Sequence, residues 1–522
     1  MRYKIFYITA LGLSLGYLAT QTMQNSTPAQ PSSLSESSDE SESSDEQKDN
    51  TAVYVAEFIE SINTTLKNAS NCYKDFNELL MSIKEEMRLW LKDEANWIPN
   101  TQNPWEKVHK FSPYVQKTVV NPGSTVFIFG DLHGDIKALT NALEKLNADG
   151  VLNNQWELEE NNHLIFLGDY TDRGSNGIEV WYTLLNLLDS NQNPTSVVVL
   201  RGNHEAFDMN FQSSAIFGQN GYLAELQKKF ALPSYSLNNP TLQKTYLSLT
   251  ESIYNMLPVA VYLGCNDEYA LCAHGGLEIG FNPQPLLTEK NPQRICMALD
   301  ELKRTTETKI LSENLQEELN QVKIADSQLK PQDQDPEQFT DFVPKGSPQL
   351  HFLWNDFNSS NPTKLSGRGS GWALGPLLTK TLLNRDHLHC IFRGHQHGLV
   401  YNDPEGKYGL YSFPGSMVHT LMSFSKIPDY DTVCKHYSFI KLSIGATFSE
   451  WKAWHMRDGE EIPIQLGSAL ALESTSLPKT THKRPERDSM TTQATDQNIL
   501  DDLRAPEEDI GNFQLIHKNK KK

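Results

Sequence analysis

The 522-residue chain has no long apolar run beyond its first 20 residues, so no later segment can span a bilayer, which takes about 20 such residues. It also lacks a Cys-x-x-Cys pair. The six cysteines, Cys72, Cys265, Cys272, Cys296, Cys390 and Cys434, follow no disulfide-scaffold spacing. Several lie in apolar runs, which favours buried free thiols and a reducing compartment. Basic residues are in deficit as well. Lys and Arg number 46 against 65 Asp and Glu, a net charge of −19. Such a chain repels phosphate backbones, so no nucleic-acid partner is expected. Apolar and aromatic mass is not lacking. Hydrophobic residues make up 38%, with 9 Trp, 19 Tyr and 22 Phe, which excludes wholesale disorder. The length allows two or three domains, or one large domain with tails and insertions.

The amino terminus opens with Arg2 and Lys4 before an apolar run from Ile5 to Ala19. Residues 1–22 read as a secretory signal, a membrane-surface anchor giving weak membrane association, or a short buried helix. The stretch "SLSESSDESESSDEQKD" within 23–50 is an acidic linker with too few apolar residues to form a core. Over 51–100 the pattern turns helical. Val55, Phe58, Ile59, Ile62 and Leu66 share one face, and Phe76, Leu79, Leu80, Ile83, Met87, Trp90 and Leu91 repeat it. The spacing predicts a helical hairpin packed on the next domain, 101–467.

Inside that domain short β-rich runs alternate with helical patterns. Strands are expected at 125–129, 163–167, 197–200, 259–263, 269–273, 389–392, 409–413 and 437–442, with helices at 136–146 and 177–188. Strand, loop and helix in turn indicate an α/β fold with ligands at strand ends. From about 282 to 348 the alternation breaks. Met297, Leu299, Leu302, Ile310, Leu315, Leu319 and Ile324 stand in rough helical register, which reads as an inserted helical hairpin. Residues 468–522 are polar and end in "HKNKKK", a disordered tail and a candidate secretion signal.

Five blocks share one design: "IFGDLHGDI", "FLGDYTDRGSNG", "VVVLRGNHE", "LCAHGG" and "IFRGHQHG". Each is an apolar β-run that ends in Asp, Asn or His beside glycine. One block alone reads as a turn. Five together place Asp131, His133, Asp169, Asn203, His274 and His395 past strand ends. Oxygen and imidazole ligands without thiolates suit Mn, Fe or Zn. A shared carboxylate can bridge two such ions at about 3.5–4 Å, where they acidify a water and polarise a phosphoryl oxygen. The expected cofactors are two divalent ions, manganese first, with iron or zinc as alternatives. Asp135 reads as a helix-start residue. His163, His351, His387 and His389 read as core or surface histidines, and the pattern gives His397 and His419 no role.

These blocks, in this order, resemble the phosphoprotein phosphatase family of metallophosphoesterases, and "SGRGSGWALG" resembles that family's Ser-x-Arg-Gly block. The resemblance covers roughly 124–442. It implies a calcineurin-like β-sandwich flanked by helices, with the site at one end. It implies that Asp131 and His133 bind the first metal, that Asp169 bridges, and that Asn203, His274 and His395 bind the second. His204 would protonate the leaving oxygen, oriented by Asp172. Arg173 and Arg368 would clamp the phosphate. Arg201 and Glu205 would support the ligands. The implied activity is hydrolysis of phosphomonoesters on phosphoproteins.

Where serine/threonine members carry "SAPNYC", the matching place is read as "SFPGSM", 412–417, without the family's overhanging tyrosine. That turns the expected preference toward phosphotyrosine, with phosphoserine and phosphothreonine second. An apolar start, acidic linker, helical insertion and polar tail around this core resemble the Wip phosphatases, effectors that Legionella delivers into host cells. The resemblance implies host phosphoproteins as partners and secretion or translocation, with export or anchoring through the amino terminus as the alternative. A small-molecule or dinucleotide phosphohydrolase, and a non-catalytic scaffold, are the other functions considered.

Overall fold

The computed structural model describes residues 51–62, 66–99, 113–191, 195–230, 250, 252–278, 281–290, 293–299, 350–359, 363–366, 371–401, 409–425 and 434–470. The strands β1 (Tyr114–Val119), β2 (Thr125–Phe129), β3 (Asn162–Phe166), β4 (Val197–Val199), β5 (Ala260–Cys265), β6 (Glu268–Ala273) and β7 (Arg294–Ala298) come first in the chain. After them come β8 (Asp356–Phe357), β9 (Lys364–Leu365), β10 (Trp372–Leu374), β11 (Ile391–Arg393), β12 (Leu410–Ser412), β13 (Val418–Leu421), β14 (Ser438–Ser443), β15 (Lys452–Arg457) and β16 (Glu460–Ile464). One sheet has seven strands, in the order β12-β13-β11-β6-β5-β1-β7. The second has six, in the order β16-β15-β14-β2-β3-β4, and β8-β10-β9 form a small third sheet.

Side-chain alternation explains the layering. In β2, Val126 and Ile128 join Ile165, Val198, Val261, Leu263, Cys272 and Phe392 in a core drawn from both large sheets. Phe127 and Phe129 point the other way, into a core shared with helices. Opposite faces of one strand therefore serve two layers, as period 2 requires. The outer face of the seven-stranded sheet is covered by Phe352, Leu378, Leu382 and Leu383. The result is a β-sandwich between helical layers.

Helices α1 (Thr51–Ser61) and α2 (Leu66–Lys92) bury Val55, Phe58, Phe76, Leu80 and Ile83 in the same core as Phe127, Phe166 and Trp181. Phe58 stacks on Tyr182 of α4 (Gly177–Ser190) at a centroid distance of 3.7 Å. Each such fully buried side chain contributes about 1.5–3 kcal/mol. Helix α3 (Ile136–Ala148) lies between β2 and β3 in sequence. Asp135 caps it by accepting a hydrogen bond from the Ala138 amide at 3.0 Å, the helix-start role expected of it.

Two expectations are corrected. The first part of the helical reading, at Met297, gives way to β7, which pairs antiparallel with β1 along Tyr114–Thr118. Cys296 and Ile295 are buried there, so the apolar spacing belonged to a sheet edge. The second concerns "SFPGSM". Strand β13 runs parallel to β11, with Ile391 opposite Val418 and Arg393 opposite Thr420. Ser412–Met417 is the turn leading into β13, at the end away from His395. The segment that reaches the ligand end is Met422–Ser425, where the Ser423 and Phe424 amides donate to the Asp131 carbonyl. The absence of a tyrosine at 412–417 therefore has no bearing on the ligand end. Residues 426–433, which continue the site-facing segment, lie outside the described residues.

The signal or anchor readings of 1–22, the linker 23–50, the remaining insertion from 300 to 349 and the tail from 471 also lie outside the described residues. Among the described residues no helix is long and apolar enough to cross a membrane.

Candidate metal centre

The site is built by strand ends. β2, β3, β4, β6 and β11 each run into a tight loop carrying site residues. His133, Asp169, Asp172, Arg173 and His395 all adopt positive φ, from 44° to 73°. Non-glycine residues seldom do so, and their clustering at one place is how a fold stores local strain at a site. Glycines allow the loops to close. A Cβ at Gly394 would overlap Asp131 Oδ1, and one at Gly202 would overlap the Asp169 backbone.

The six residues that the sequence singled out as ligands converge, and all are buried. Asn203 Oδ1 lies 2.7 Å from His274 Nε2 and 3.0 Å from His395 Nδ1. Asp169 Oδ2 lies 3.2 Å from His274 Nε2 and 3.7 Å from His133 Nε2. Asp131 Oδ2 lies 4.0 Å from His133 Nε2. One atom from each of Asp169, His274 and His395 falls within a 4.8 Å group, and Asp131, His133 and His397 form a second. His397 was given no role from sequence. Its Nε2 is 2.7 Å from Asp131 Oδ2 and 3.3 Å from His133 Nε2. The available signal was the paired histidine spacing in "GHQH", where both side chains leave one loop toward the same place.

The donor chemistry fits divalent ions. His133 Nδ1 donates to the Thr171 carbonyl at 3.0 Å, which leaves the Nε2 lone pair facing Asp131, Asp169 and His397. Burial pulls His133 well below the ordinary histidine value, so it is neutral and able to ligate. His274 Nδ1 is buried without a hydrogen bond. Burial raises Asp131 above the usual carboxylate range, against the pull of His274. Burial would raise Asp169 too, but His274, His204 and His133 overrule it and hold it well below that range. Carboxylate oxygens, an amide oxygen and imidazole nitrogens crowding one buried place need cations between them. No cysteine takes part.

A hydrogen-bonded dyad stands beside this cluster. His204 Nδ1 donates to Asp172 Oδ2 at 2.8 Å. Asp172 is fixed by two further donors, Asn210 Nδ2 at 2.7 Å and the Tyr222 amide at 2.8 Å. Burial lowers His204, but Asp169 and Asp172 outweigh it and hold His204 above the ordinary value. Arg173 carries its positive charge toward both His133 and His204. Arg368 lies outside the described residues.

Other residues hold the loops. Glu205 accepts from the amides of Asp169, Tyr170 and Gly202 at 2.8, 3.0 and 2.9 Å, with its own carboxyl pushed by burial up to about 7. Arg201 Nε donates to the Glu205 carbonyl. Arg393, fully buried, ties the Gly275 and Asn355 carbonyls to the loop before His395. Asp356 Oδ1 faces His395 Nε2 at 3.8 Å, and Ser366 donates to its other oxygen at 2.7 Å. No spacing in the sequence singled out Asp356 or Asn210. Among the histidines read as core or surface residues, His351 pairs with Glu278 at 2.8 Å and His163 donates to the Thr195 carbonyl; His419, which the pattern gave no role, is buried on Phe392.

These strand-end ligands on a two-sheet sandwich define a metallophosphoesterase. The calcineurin-like phosphoesterase family profile matches residues 124–399, more than half of the chain, and the chain belongs to that family. It is related to protein phosphatases. A serine/threonine-protein phosphatase with EF-hands 1 from Rattus norvegicus is 26% identical over 326 residues, covering 62% of this chain and 43% of the relative. Serine/threonine-protein phosphatase 5 from Homo sapiens is 25% identical over 324 residues, covering 61% of this chain and 49% of the relative. The chain thus spans about half the length of the curated relatives it matches. Among solved structures, a protein serine/threonine phosphatase from Saccharomyces cerevisiae aligns with a TM-score of 0.44 at 17% identity, covering 75% of this chain and 93% of that one. A cold-active protein-tyrosine phosphatase from a Shewanella species aligns with a TM-score of 0.32 at 13% identity, covering 68% and 83%.

Proposed function

We propose that the protein is a metal-dependent protein phosphatase that hydrolyses phosphomonoesters. The observation that carries this reading is the meeting of a seven-residue donor cluster with the His204–Asp172 dyad. Asp131, His133 and His397 would hold one divalent ion, Asn203, His274 and His395 the other, and Asp169 would bridge them. Manganese is the first choice, with iron or zinc as alternatives. Bound there, two ions activate water as a nucleophile and offset phosphoryl charge.

The chain's own residues supply the rest. His204 gives its Nε2 proton to the departing ester oxygen. Asp172 keeps Nδ1 protonated and the ring aligned, and Asp169 and Asp172 together raise His204 above its ordinary value, which favours the protonated ring. Arg173 draws the phosphate into register through charge-assisted hydrogen bonds, joined by Arg368 on the reading from sequence. Asp169 is anchored from both sides, by the His204 amide on Oδ1 and by Glu205 on its backbone. A fixed carboxylate costs little reorganisation when the reaction begins.

Phosphotyrosine is proposed as the lead substrate, ahead of phosphoserine and phosphothreonine. Partly exposed Trp354 stands edge-on to His395 at 5.7 Å, an aromatic partner for a substrate ring. Host phosphoproteins as targets, and export or translocation, belong to this proposal through the architectural resemblance alone. The test is a panel of phosphotyrosine, phosphoserine and phosphothreonine peptides, p-nitrophenyl phosphate and diadenosine tetraphosphate with manganese-loaded protein. Hydrolysis of the phosphopeptides supports the reading. Preference for the dinucleotide moves it to a small-molecule hydrolase. No turnover with two metals bound leaves a scaffold.

A further inference from the structure

At the end of the sandwich where both large sheets stop, β4 forms the edge of one sheet and β7 the edge of the other. Helix α2 closes over the two edges, and a cavity of about 370 Å³ remains between them. Its walls are apolar: Ile83, Met87 and Leu91 from α2, Leu188 from α4, Val198 from β4, and Leu257. One cation breaks this surface. Arg294, at the start of β7, lines the cavity with its guanidinium carbon 3.8 Å from the centroid of the Trp90 ring.

Among the described residues the guanidinium meets no counter-charge. Its Nε is buried without a hydrogen bond. Among the described residues no carboxylate forms an ion pair with it, and the groups that act on its charge are Cys296 and Tyr114. The Tyr114 hydroxyl already donates to the Met256 carbonyl. Glu86, also on the lining, is raised above the usual carboxylate range by burial and by Asp189, and among the described residues it forms no ion pair with Arg294. An aromatic face compensates a desolvated cation only in part. A guanidinium that presents donors toward an apolar cavity calls for a planar anion with an apolar body.

We propose that this cavity binds a medium-chain alkyl carboxylate, with the carboxylate on Arg294 and the chain along Met87, Leu91, Leu188 and Leu257. Free phosphate and nucleotides fit poorly, because walls of Leu, Val, Ile and Met offer them few donors. The site is separate from the metal centre, yet β4 runs on directly into Arg201–Glu205. The Arg201 amide donates to the carbonyl of Pro258, another lining residue. Occupancy would therefore bear on the segment that carries Asn203 and His204.

Titration calorimetry on the full chain tests this, using decanoate, decanol and decyltrimethylammonium, each below its micellar concentration. Decanoate is expected to bind saturably, about tenfold or more tighter than decanol, with the cationic probe weakest. Arg294→Met should remove the preference for decanoate over decanol, and Arg294→Lys should retain part of it. Melting temperatures of both variants establish that they are folded, and the comparison of the three probes on the unaltered chain stands without any variant. Absence of saturable decanoate binding would overturn the proposal. So would equal affinity for the three probes, or an undiminished decanoate preference in folded Arg294→Met.

Discussion

His397 Nε2 stands 2.7 Å from Asp131 Oδ2, although the two residues are 266 positions apart in the chain. The contact joins the loop after β11 to the loop after β2. It gives the Asp131–His133 half of the candidate centre a third donor, while Asp169 groups with His274 and His395 on one side and with His133 and His204 on the other.

If His397 is a ligand, His397→Ala should lower metal content from about two ions per chain toward one. Affinity for the weaker ion should fall by about 10–100-fold or more. Elemental analysis of protein purified in manganese reads this directly. Two tightly held ions in the variant would remove His397 from the ligand set.

Gly394→Ala tests the closeness of the loops. The new methyl would overlap Asp131 Oδ1, a buried acceptor already engaged by the His395 amide at 3.1 Å. Overpacking of this kind costs about 1–3 kcal/mol. The expected result is a lower melting temperature together with loss of bound metal, measured by thermal unfolding with and without manganese.

The His204–Asp172–Asn210 chain predicts a graded series. His204→Ala should lower kcat by about 10²–10⁴-fold with metal content unchanged. Asn210→Ala removes one donor from Asp172 and should have a smaller effect than His204→Ala. Metal content and kcat on p-nitrophenyl phosphate separate these variants from ligand mutants. The order would be wrong if Asn210→Ala were the more damaging.

Buried neutral histidines predict acid sensitivity of the fold. Burial pushes His419 down to about 4 and His455 down to about 3. Unfolded histidine titrates near 6.5. Between those values the unfolded chain binds more protons than the folded one. Stability should therefore be full above about pH 6.5 and fall as pH drops, by at most about 1.4 kcal/mol per pH unit for each group. Denaturant midpoints at pH 7.5 and pH 5 in chelator, which takes the metal centre out of the comparison, should show the loss. His455→Gln should reduce the slope.

The ligand loops were legible in the sequence because their signal is local. A β-run that ends in Asp, Asn or His beside glycine specifies a strand, a sharp turn and a polar side chain at the turn. Positive φ at His133, Asp169 and His395 is the structural counterpart of that pattern. The alternation in β2, apolar on both faces, likewise announces a strand buried between two layers.

Strand partnership decided the rest. Parallel pairing of β13 with β11 places Met422–Ser425 at Asp131 and sends Ser412–Met417 to the far end, whatever the short-range likeness of either segment. Pairing of β7 with β1 turned an apolar spacing read as helical into a sheet edge, and left Arg294 over the cavity under α2. Hydrogen-bond partners in a sheet are set by chain segments far apart in sequence, so no local pattern encodes them. The residue types alone determined that this chain can gather oxygen and imidazole ligands. Only the folded sheets decided that His397 meets Asp131, and that Asn210 and Tyr222 hold Asp172.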